Sequence, residues 1–407
     1  MRLRVSLGDL RVGDLSSGYS GAWEFRFDDA YASMRERPVL GRWFEDQDLG
    51  ALRYRAPQGW LPAFFENYLP EPGSALRALL ARSAGVEPTR QGPLLAALGR
   101  DLPGAVVVQE VNEGDGEDSA PPVDAPARRD RPLRFSLAGM QLKFSVAREA
   151  ERFTLPVTGV GGRWIAKLPD RSYPSVPRHE CAMLSLARGA GVDVPEVSLV
   201  PWREIEGLPR ELTFDEPDAM VIRRYDRSPD GARIHQEDFA QVFDRRPDDK
   251  YDELKTSRLR AAYDSIGAVV RAVCGQADFE EYLRRLVFMV LTGNHDAHLK
   301  NWSLYYPDPR RARLAPAYDL LSTVAYLPEV ETMALRLYKR TRFDEVLRSD
   351  FERLAEKAGA DANASMSVVD ETIERFREAW SAEGASLPEG HKARIDVHLG
   401  SLSLLKR

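Results

Sequence analysis

The spacing of apolar residues changes along this chain and divides it into blocks. The opening "MRLRVSLGDLRVGDL" alternates apolar and polar residues, which predicts β-strands. Helical spacing follows in "LPAFFENYLP" and "SALRALLARSAG", and "PLLAALGRDLPGAVVVQEV" predicts a short helix and then a buried strand. The first predicted domain therefore covers residues 1–111.

A polar segment separates this block from the rest. Residues 112–131 are rich in Gly, Pro and charge and contain almost no large apolar residue. Such a segment cannot bury enough surface to offset the entropy of ordering, so we predict a flexible linker.

The remaining chain is strand-rich first and helix-rich afterwards. Between residues 132 and 230, "LKFSVAREAERFTLPV" predicts a hairpin and "GRWIAKLPD" a third strand. A helix in "SVPRHECAMLSLARGAGVDVPE" and a strand in "AMVIRRYDRS" follow. Residues 231–407 show helical patterns in "HQEDFAQVF", "RLRAAYDSIGAVVRAVC" and "FEEYLRRLVFMVLT". We therefore predict an α+β, two-lobed, protein-kinase-like fold. It has a strand-rich N-terminal lobe, an extra N-terminal subdomain and an all-helical C-terminal lobe.

Composition narrows the classes of protein. The 407 residues are 43% hydrophobic and 29% charged with a net charge of −6, which argues against nonspecific nucleic-acid binding by the whole surface. Only Cys181 and Cys274 occur, so a disulfide framework is not expected. The longest apolar run, residues 286–291, is too short to span a bilayer, and no signal sequence opens the chain. We predict a cytoplasmic protein that does not bind membranes.

The stretch "TGNHDAHLKNWSLYY", residues 292–306, concentrates ionisable and hydrogen-bonding groups between an apolar helix and a short strand. Asp296 and Asn301 lie five residues apart, and Asp319 follows eighteen residues later. Phosphoryl transfer from ATP needs a carboxylate to receive the acceptor's proton and oxygen ligands for Mg²⁺. The Asp-x4-Asn spacing is that of the protein-kinase catalytic loop. We predict Asp296 as the base, with Asn301 and Asp319 as metal ligands.

Two further pieces fit the same chemistry. Lys167 lies in an apolar strand, where a charge is unfavourable unless it is paired, and Glu180 in the following helix is the expected partner. The loop "SLAGMQLKFS" carries Ser136, Gly139 and Lys143 and can contact phosphates through its backbone N–H groups.

These motifs together resemble the HipA family of serine/threonine kinases, the toxins of bacterial toxin–antitoxin pairs. The matching pieces are "SLAGMQLKF", "WIAKLPD", "HECAMLSLARGAGVDVPE", "VIRRYDR", "HQEDF", "GNHDAHLKNWS" and "PAYDLLS", in family order over residues 130–325. The N-terminal block resembles that family's extra subdomain. Met140 and His295 depart from the family pattern, but neither removes a group that the mechanism needs.

The resemblance implies ATP and Mg²⁺ as cofactors and assigns site residues. Lys167, Asp296, Asn301 and Asp319 would be catalytic, and Ser136 would be autophosphorylated, which silences the kinase by placing negative charge beside a phosphate site. His298 is expected to order the catalytic loop through hydrogen bonds. The residues placed against the nucleotide are Ser136, Leu137, Ala138, Gly139, Met140, Gln141, Lys143, Lys167, Glu180, Arg223, Tyr225, Gln236, His298 and Lys300.

The resemblance also implies partners. The protein substrate could be an aminoacyl-tRNA synthetase, so that translation stops, and a helix-turn-helix, HipB-like antitoxin would connect the chain to DNA only indirectly. Two alternatives within this fold are a small-molecule kinase and an antitoxin-binding corepressor with little kinase activity. A metallophosphoesterase is a third alternative from "GNHD", but the Asp-x-His and Gly-Asp-x-x-Asp motifs that it needs are in the wrong order or place.

Overall fold

The computed structural model describes residues 1–18, 21–111, 142–149, 152–155, 162–170, 172–208, 212–251 and 261–406. The predicted linker, residues 112–131, lies outside this part of the chain. So do residues 136–141 of the predicted phosphate loop.

An antiparallel sheet forms the centre of the N-terminal subdomain. Its strands are β1 (Arg2–Leu7), β2 (Leu10–Ser17), β3 (Ala22–Phe27), β4 (Tyr54–Gln58) and β5 (Val106–Glu110), in the order β4-β3-β2-β1-β5. The helices of this subdomain are α1 (Asp29–Ser33), α2 (Ala63–Glu66), α3 (Ala75–Ala84) and α4 (Gln91–Leu98). The predicted alternation is confirmed, because Leu3, Val5 and Leu7 are buried while the residues between them are more exposed.

A second sheet forms the N-terminal lobe. Its strands are β6 (Lys143–Glu149), β7 (Arg152–Thr154), β8 (Trp164–Lys167), β9 (Val197–Pro201), β10 (Ile205–Glu206) and β11 (Asp218–Arg223), in the order β10-β7-β6-β8-β11-β9. Strand β6 pairs antiparallel with both β7 and β8, which confirms the predicted hairpin and third strand. Helix α5 (Val176–Gly189) has a proline in its first turn and is followed by Gly191 at a positive φ of 89°.

Two hydrophobic cores hold these units together. One contains Phe25 of the first sheet and Phe144 and Val221 of the second, so the N-terminal subdomain and the strands of the N-terminal lobe share a core. The other contains Met183 and Leu186 of α5 together with the helices of the C-terminal lobe. The helix that carries Glu180 is therefore packed, by its apolar face, into the core of the C-terminal lobe.

The C-terminal lobe is mainly helical. Its helices are α6 (Phe239–Val242), α7 (Tyr263–Cys274), α8 (Gln276–Thr292), α9 (Arg348–Lys357), α10 (Ala362–Glu383) and α11 (His391–Ser401). Its strands are β12 (His235–Asp238), β13 (Ser303–Asp308), β14 (Arg311–Leu314), β15 (Thr332–Leu337) and β16 (Arg340–Arg342). Strands β12, β13 and β14 form one sheet, and β15 and β16 form a hairpin.

The structure confirms the two-lobed fold and corrects one detail, because this lobe is not all-helical. The stretch "HQEDFAQVF", which we predicted as helix, is strand β12 followed by one helical turn. His235 and Glu237 are buried while Gln236 and Asp238 are more exposed, which is a strand's period of two. Asp238 then caps the N-terminus of α6 by accepting from the Gln241 N–H, so the switch occurs at that residue. Of the helices in the described part of the chain, none combines the length and apolarity that crossing a membrane requires.

Candidate active site

Residues 293–302 form a loop between α8 and β13 that brings Asp296 and Asn301 together. Helix α8 ends at Thr292 and is capped by Gly293, whose φ of 63° is in the left-handed region. The Asp296 N–H donates to Asn294 Oδ1 over 3.0 Å, and Asn301 Nδ2 donates to the Asp296 carbonyl oxygen over 2.8 Å. The second bond uses the amide nitrogen of Asn301 and leaves its amide oxygen for another partner.

The Asp296 carboxylate is accessible and has one close donor. Its side chain is 48% exposed, and the Tyr251 hydroxyl donates to Oδ1 over 2.5 Å. Burial raises the pKa of Asp296, while the hydrogen bond from Tyr251 opposes that rise. An accessible carboxylate with a raised pKa suits the acceptance of a proton from a hydroxyl group.

Lys167 lies between two carboxylates at the end of β8. It is 4% exposed, and its Nζ donates to Glu180 Oε1 and to Asp319 Oδ1. Lys143 is the cross-strand neighbour of Lys167 on β6, and its Nζ lies 3.3 Å from Asp319 Oδ2. The structure thus forms the predicted Lys167–Glu180 pair and adds Asp319 to it.

Electrostatics make Asp319 the ionised centre of this cluster. Burial alone would raise the pKa of Asp319, but Lys143 and Lys167 outweigh it and hold the pKa well below its ordinary value. For Lys167, burial alone would lower the pKa, because it disfavours the charged ammonium. The negative charges of Asp319 and Glu180 outweigh this effect and raise the pKa, so the ammonium stays charged. Asp319 also has a φ of 52°, a strained conformation for a residue other than glycine.

Asn301 and Asp319, the predicted metal ligands, carry oxygen atoms of the kind that Mg²⁺ prefers. In the described part of the chain, no group of three or more His, Cys, Asp or Glu side chains is arranged to hold a metal. Mg²⁺ needs fewer protein ligands, because water and phosphate oxygens complete its octahedron. Both carboxylate oxygens of Asp319 accept from lysine ammonium groups in this structure, so a Mg²⁺ ion there would share or displace those contacts.

Three of the residues that the resemblance placed against the nucleotide, Arg223, Tyr225 and Gln236, have different surroundings in the structure. The Tyr225 hydroxyl donates to Gln236 Oε1, and the Tyr225 ring stacks on Tyr318 with centroids 5.9 Å apart. Arg223 lies at the end of β11, and its Nη1 is 3.8 Å from Glu196 Oε2. The structure therefore brings Tyr225 and Gln236 together, whereas Arg223 faces a partly exposed carboxylate.

His298 does not order the loop in the way that we predicted. Its Nε2 is 3.9 Å from Asp296 Oδ1, beyond hydrogen-bonding distance, and its Nδ1 is buried without a partner among the described residues. The ring instead packs edge-on against Tyr251, with centroids 5.2 Å apart. Burial and the nearby Lys250 and Lys300 lower the pKa of His298 well below its ordinary value, so the ring is neutral.

The Lys300 ammonium is occupied by contacts within the protein and is not free to bind phosphate. Its Nζ donates to the Asn67 carbonyl oxygen over 3.0 Å, to Asn67 Oδ1 over 2.8 Å and to Asp238 Oδ2 over 3.1 Å. These acceptors use all three ammonium hydrogens. The resemblance placed Lys300 against the nucleotide, whereas in this structure its ammonium joins the catalytic loop to the N-terminal subdomain.

Two sets of contacts described by the structure could not be predicted from a sequence motif. Tyr251, the donor to Asp296, lies in a charged stretch without a motif. His179 is fully buried, accepts from the Ser322 N–H over 3.1 Å and lies 2.7 Å from His391, Nδ1 to Nδ1. Because His179 Nε2 accepts a hydrogen bond, its Nδ1 must donate to His391. This chain of contacts joins α5 to α11 and to the segment after Asp319.

This geometry defines a protein with a two-lobed, protein-kinase-like fold. Sequence profiles of the HipA N-terminal domain and of the HipA-like C-terminal domain match residues 3–109 and 135–380. The chain belongs to the HipA family, which sets aside the metallophosphoesterase alternative.

Individual relatives agree with this assignment. The Sinorhizobium fredii protein with the name "Putative kinase Y4dM" is 43% identical over 99% of this chain and 98% of its own length. The serine/threonine-protein kinase toxin HipA of Shewanella oneidensis is 24% identical over 83% of this chain and 78% of its own. A solved chain from the Shewanella oneidensis complex of HipA, HipB and operator DNA has a TM-score of 0.71 at 21% identity. It covers 98% of this chain and 95% of that one. The chain is therefore a kinase-like protein of the HipA family.

Proposed function

We propose that this chain is an ATP- and Mg²⁺-dependent serine/threonine protein kinase that acts as the toxin of a toxin–antitoxin pair. The observation that carries the proposal is the cluster in which Lys167 bridges Glu180 and Asp319. The second part of the site is the loop in which the Asn301 side chain donates a hydrogen bond to the Asp296 carbonyl oxygen. These are the groups that protein kinases use for phosphoryl transfer.

The residues divide the work as follows. Asp296 receives the proton of the acceptor hydroxyl, for which its accessible carboxylate is suited. Lys167, held by Glu180, binds nucleotide phosphates, and Lys143 adds a second positive charge on the same side. Asn301 and Asp319 hold Mg²⁺, which when bound neutralises charge on the phosphates. Tyr225 and Gln236 border the base of the nucleotide.

The names of two relatives support the proposed antitoxin partner. A relative is named a serine/threonine-protein kinase toxin, and a chain of the same fold is solved with HipB and operator DNA. These names support a HipB-like, helix-turn-helix antitoxin as the partner that we propose. The proposed protein substrate, with an aminoacyl-tRNA synthetase as the leading candidate, rests on the family resemblance. Autophosphorylation of Ser136 would silence the enzyme, because it adds nearly two negative charges beside the phosphate site.

Mass spectrometry after incubation with Mg-ATP tests the kinase chemistry. The wild type should gain a phosphate on Ser136 and form ADP. Asp296→Asn should do both orders of magnitude more slowly while still binding ATP, because the substitution keeps the size and most hydrogen bonds of the side chain. Ser136→Ala should gain no phosphate while still binding ATP, because the acceptor hydroxyl is removed and the nucleotide site is not. A wild-type protein that binds ATP but forms neither product would contradict the kinase and favour the corepressor alternative.

Co-expression tests the partner. The product of a small helix-turn-helix reading frame beside the gene should co-purify with this chain in a stable complex. The complex should bind the promoter DNA of that operon, whereas the chain alone should not. Promoter binding by the chain alone would contradict the indirect link to DNA.

A further inference from the structure

Tyr251 contacts the group that would perform the proton transfer. Its hydroxyl donates to Asp296 Oδ1 over 2.5 Å, a short O–H···O⁻ distance that indicates a strong, charge-assisted bond. Burial raises the pKa of Tyr251, and the adjacent Asp296 carboxylate raises it further, so the phenol stays protonated and acts as the donor.

The position of Tyr251 is fixed from several sides. Its ring packs edge-on against His298, which lies two residues after Asp296 in the same loop. The preceding Lys250 forms an ion pair with Glu71 of the N-terminal subdomain, with 2.5 Å between Nζ and Oε1. The Lys250 carbonyl oxygen also accepts from the Leu299 N–H over 3.2 Å. Tyr251 is therefore held between the N-terminal subdomain and the catalytic loop.

A second contact holds the same segment against that subdomain. The guanidinium of Arg246 lies 3.7 Å from the centroid of the Trp60 ring, and one of its nitrogens is 3.1 Å from Glu66 Oε1. Stacking on an aromatic ring combined with an ion pair restricts both partners. The residues before Tyr251 thus have a defined path over the N-terminal subdomain.

The geometry leaves the two carboxylate oxygens of Asp296 in different roles. Oδ1 accepts from Tyr251, while the side chain remains half exposed. A carboxylate that is free to rotate would spend time in orientations that cannot reach an acceptor hydroxyl. A donor anchored on Oδ1 selects one rotamer and leaves Oδ2 for the incoming hydroxyl.

We propose that Tyr251 is a positioning residue for the reaction, which orients the Asp296 carboxylate toward the acceptor. The inference rests on the proposed function, since it assumes that Asp296 is the base. It also assigns a task to the N-terminal subdomain, which holds Tyr251 in place through Glu71 and Trp60.

Tyr251→Phe tests this role, because it removes the hydroxyl and keeps the ring on His298. ADP formation from Mg-ATP and phosphate incorporation should fall about ten- to hundredfold in kcat, the effect of losing one hydrogen bond to a charged group. The KM for ATP should change less than threefold, since the hydroxyl that is removed donates to Asp296 and not to a group assigned to the nucleotide. Tyr282→Phe is the matched control. It removes a buried hydrogen bond of 2.6 Å to the Tyr263 carbonyl oxygen in the same lobe and should leave kcat unchanged.

A double variant separates positioning from a structural role. In an Asp296→Asn background, Tyr251→Phe should lower the residual rate no further, because there is no carboxylate left to orient. An equal loss in both backgrounds would overturn the inference, as would an unchanged kcat in the single variant. A raised kcat, or phosphate found on Tyr251, would also overturn it, since the hydroxyl would then be competing with the acceptor. If Asp296→Asn itself retains full activity, the proposed function fails instead.

Discussion

Replacing Lys300 by Met decides between a structural and a phosphate-binding role for this lysine. The Lys300 ammonium lies between the N-terminal subdomain and the catalytic loop, with Asn67 supplying two acceptors and Asp238 the third. The residue is 8% exposed. Met retains most of the length and the apolar stem of the lysine, so the substitution removes mainly the charge and the three hydrogen bonds.

The structure sets the size of the expected effect. Breaking a buried ion pair by removing one partner costs about 3–5 kcal/mol, and hydrogen bonds to charged groups contribute about 1.5–3 kcal/mol each without being additive. The Asp238 side chain is still 15% exposed, so water replaces part of the lost contact. We therefore expect the free energy of unfolding to fall by about 2–4 kcal/mol.

Urea unfolding followed by circular dichroism measures this change, and calorimetric titration with Mg-ATP measures nucleotide affinity. The affinity of the folded variant should be unchanged within about threefold. Lys392→Met is the control, because the exposed pair of Lys392 and Asp396 should contribute less than about 1 kcal/mol. A double-mutant cycle of Lys300→Met with Asn67→Ala should give a coupling free energy between the two side chains of about 1–2 kcal/mol. A tenfold loss of ATP affinity with unchanged stability would refute this reasoning and return Lys300 to the phosphate site.

Three further outcomes follow from the same structure. Lys167→Met should destabilise the fold by about 3–5 kcal/mol, because it leaves two carboxylates close together without their shared cation. Adding Glu180→Gln to Lys167→Met should restore part of the lost free energy of unfolding, measured by urea unfolding. A double variant that is less stable than Lys167→Met would contradict the pairing of Lys167 with Glu180. Burial lowers the pKa of His179 to about 3 and of His235 to about 4, below the unfolded value of about 6.5. The unfolded chain therefore binds more protons, and stability should fall as pH drops from 6.5 to 4, by about 1.4 kcal/mol per pH unit for each fully titrating histidine. Equal unfolding midpoints at pH 7.5 and 5 would contradict this. Asp319→Asn should raise the Mg²⁺ concentration for half-maximal ADP formation at least tenfold, and an unchanged requirement would remove Asp319 from the metal site.

Sequence by itself predicted the parts of the site that depend on local spacing. Asp296 and Asn301 are five residues apart in one loop, and their mutual hydrogen bond is a property of that loop. Lys167 ends strand β8 and Glu180 lies in α5, the next helix along the chain. This order predicted their pairing, which the structure contains. The order of strands and helices in the two lobes could also be predicted from local patterns, because hydrophobic periodicity shows which face each element buries.

Tertiary structure alone decided which charges are free for chemistry. The acceptors for Lys300 on Asn67 lie 233 positions earlier, and the tyrosine that contacts Asp296 lies 45 positions earlier. His179 and His391, which join α5 to α11, are 212 residues apart. Strand β12 also required its partner β13, since a strand of four residues is stable only when its hydrogen bonds are satisfied across the sheet. Local spacing determines which groups a segment carries, whereas packing between distant segments determines whether those groups are already occupied.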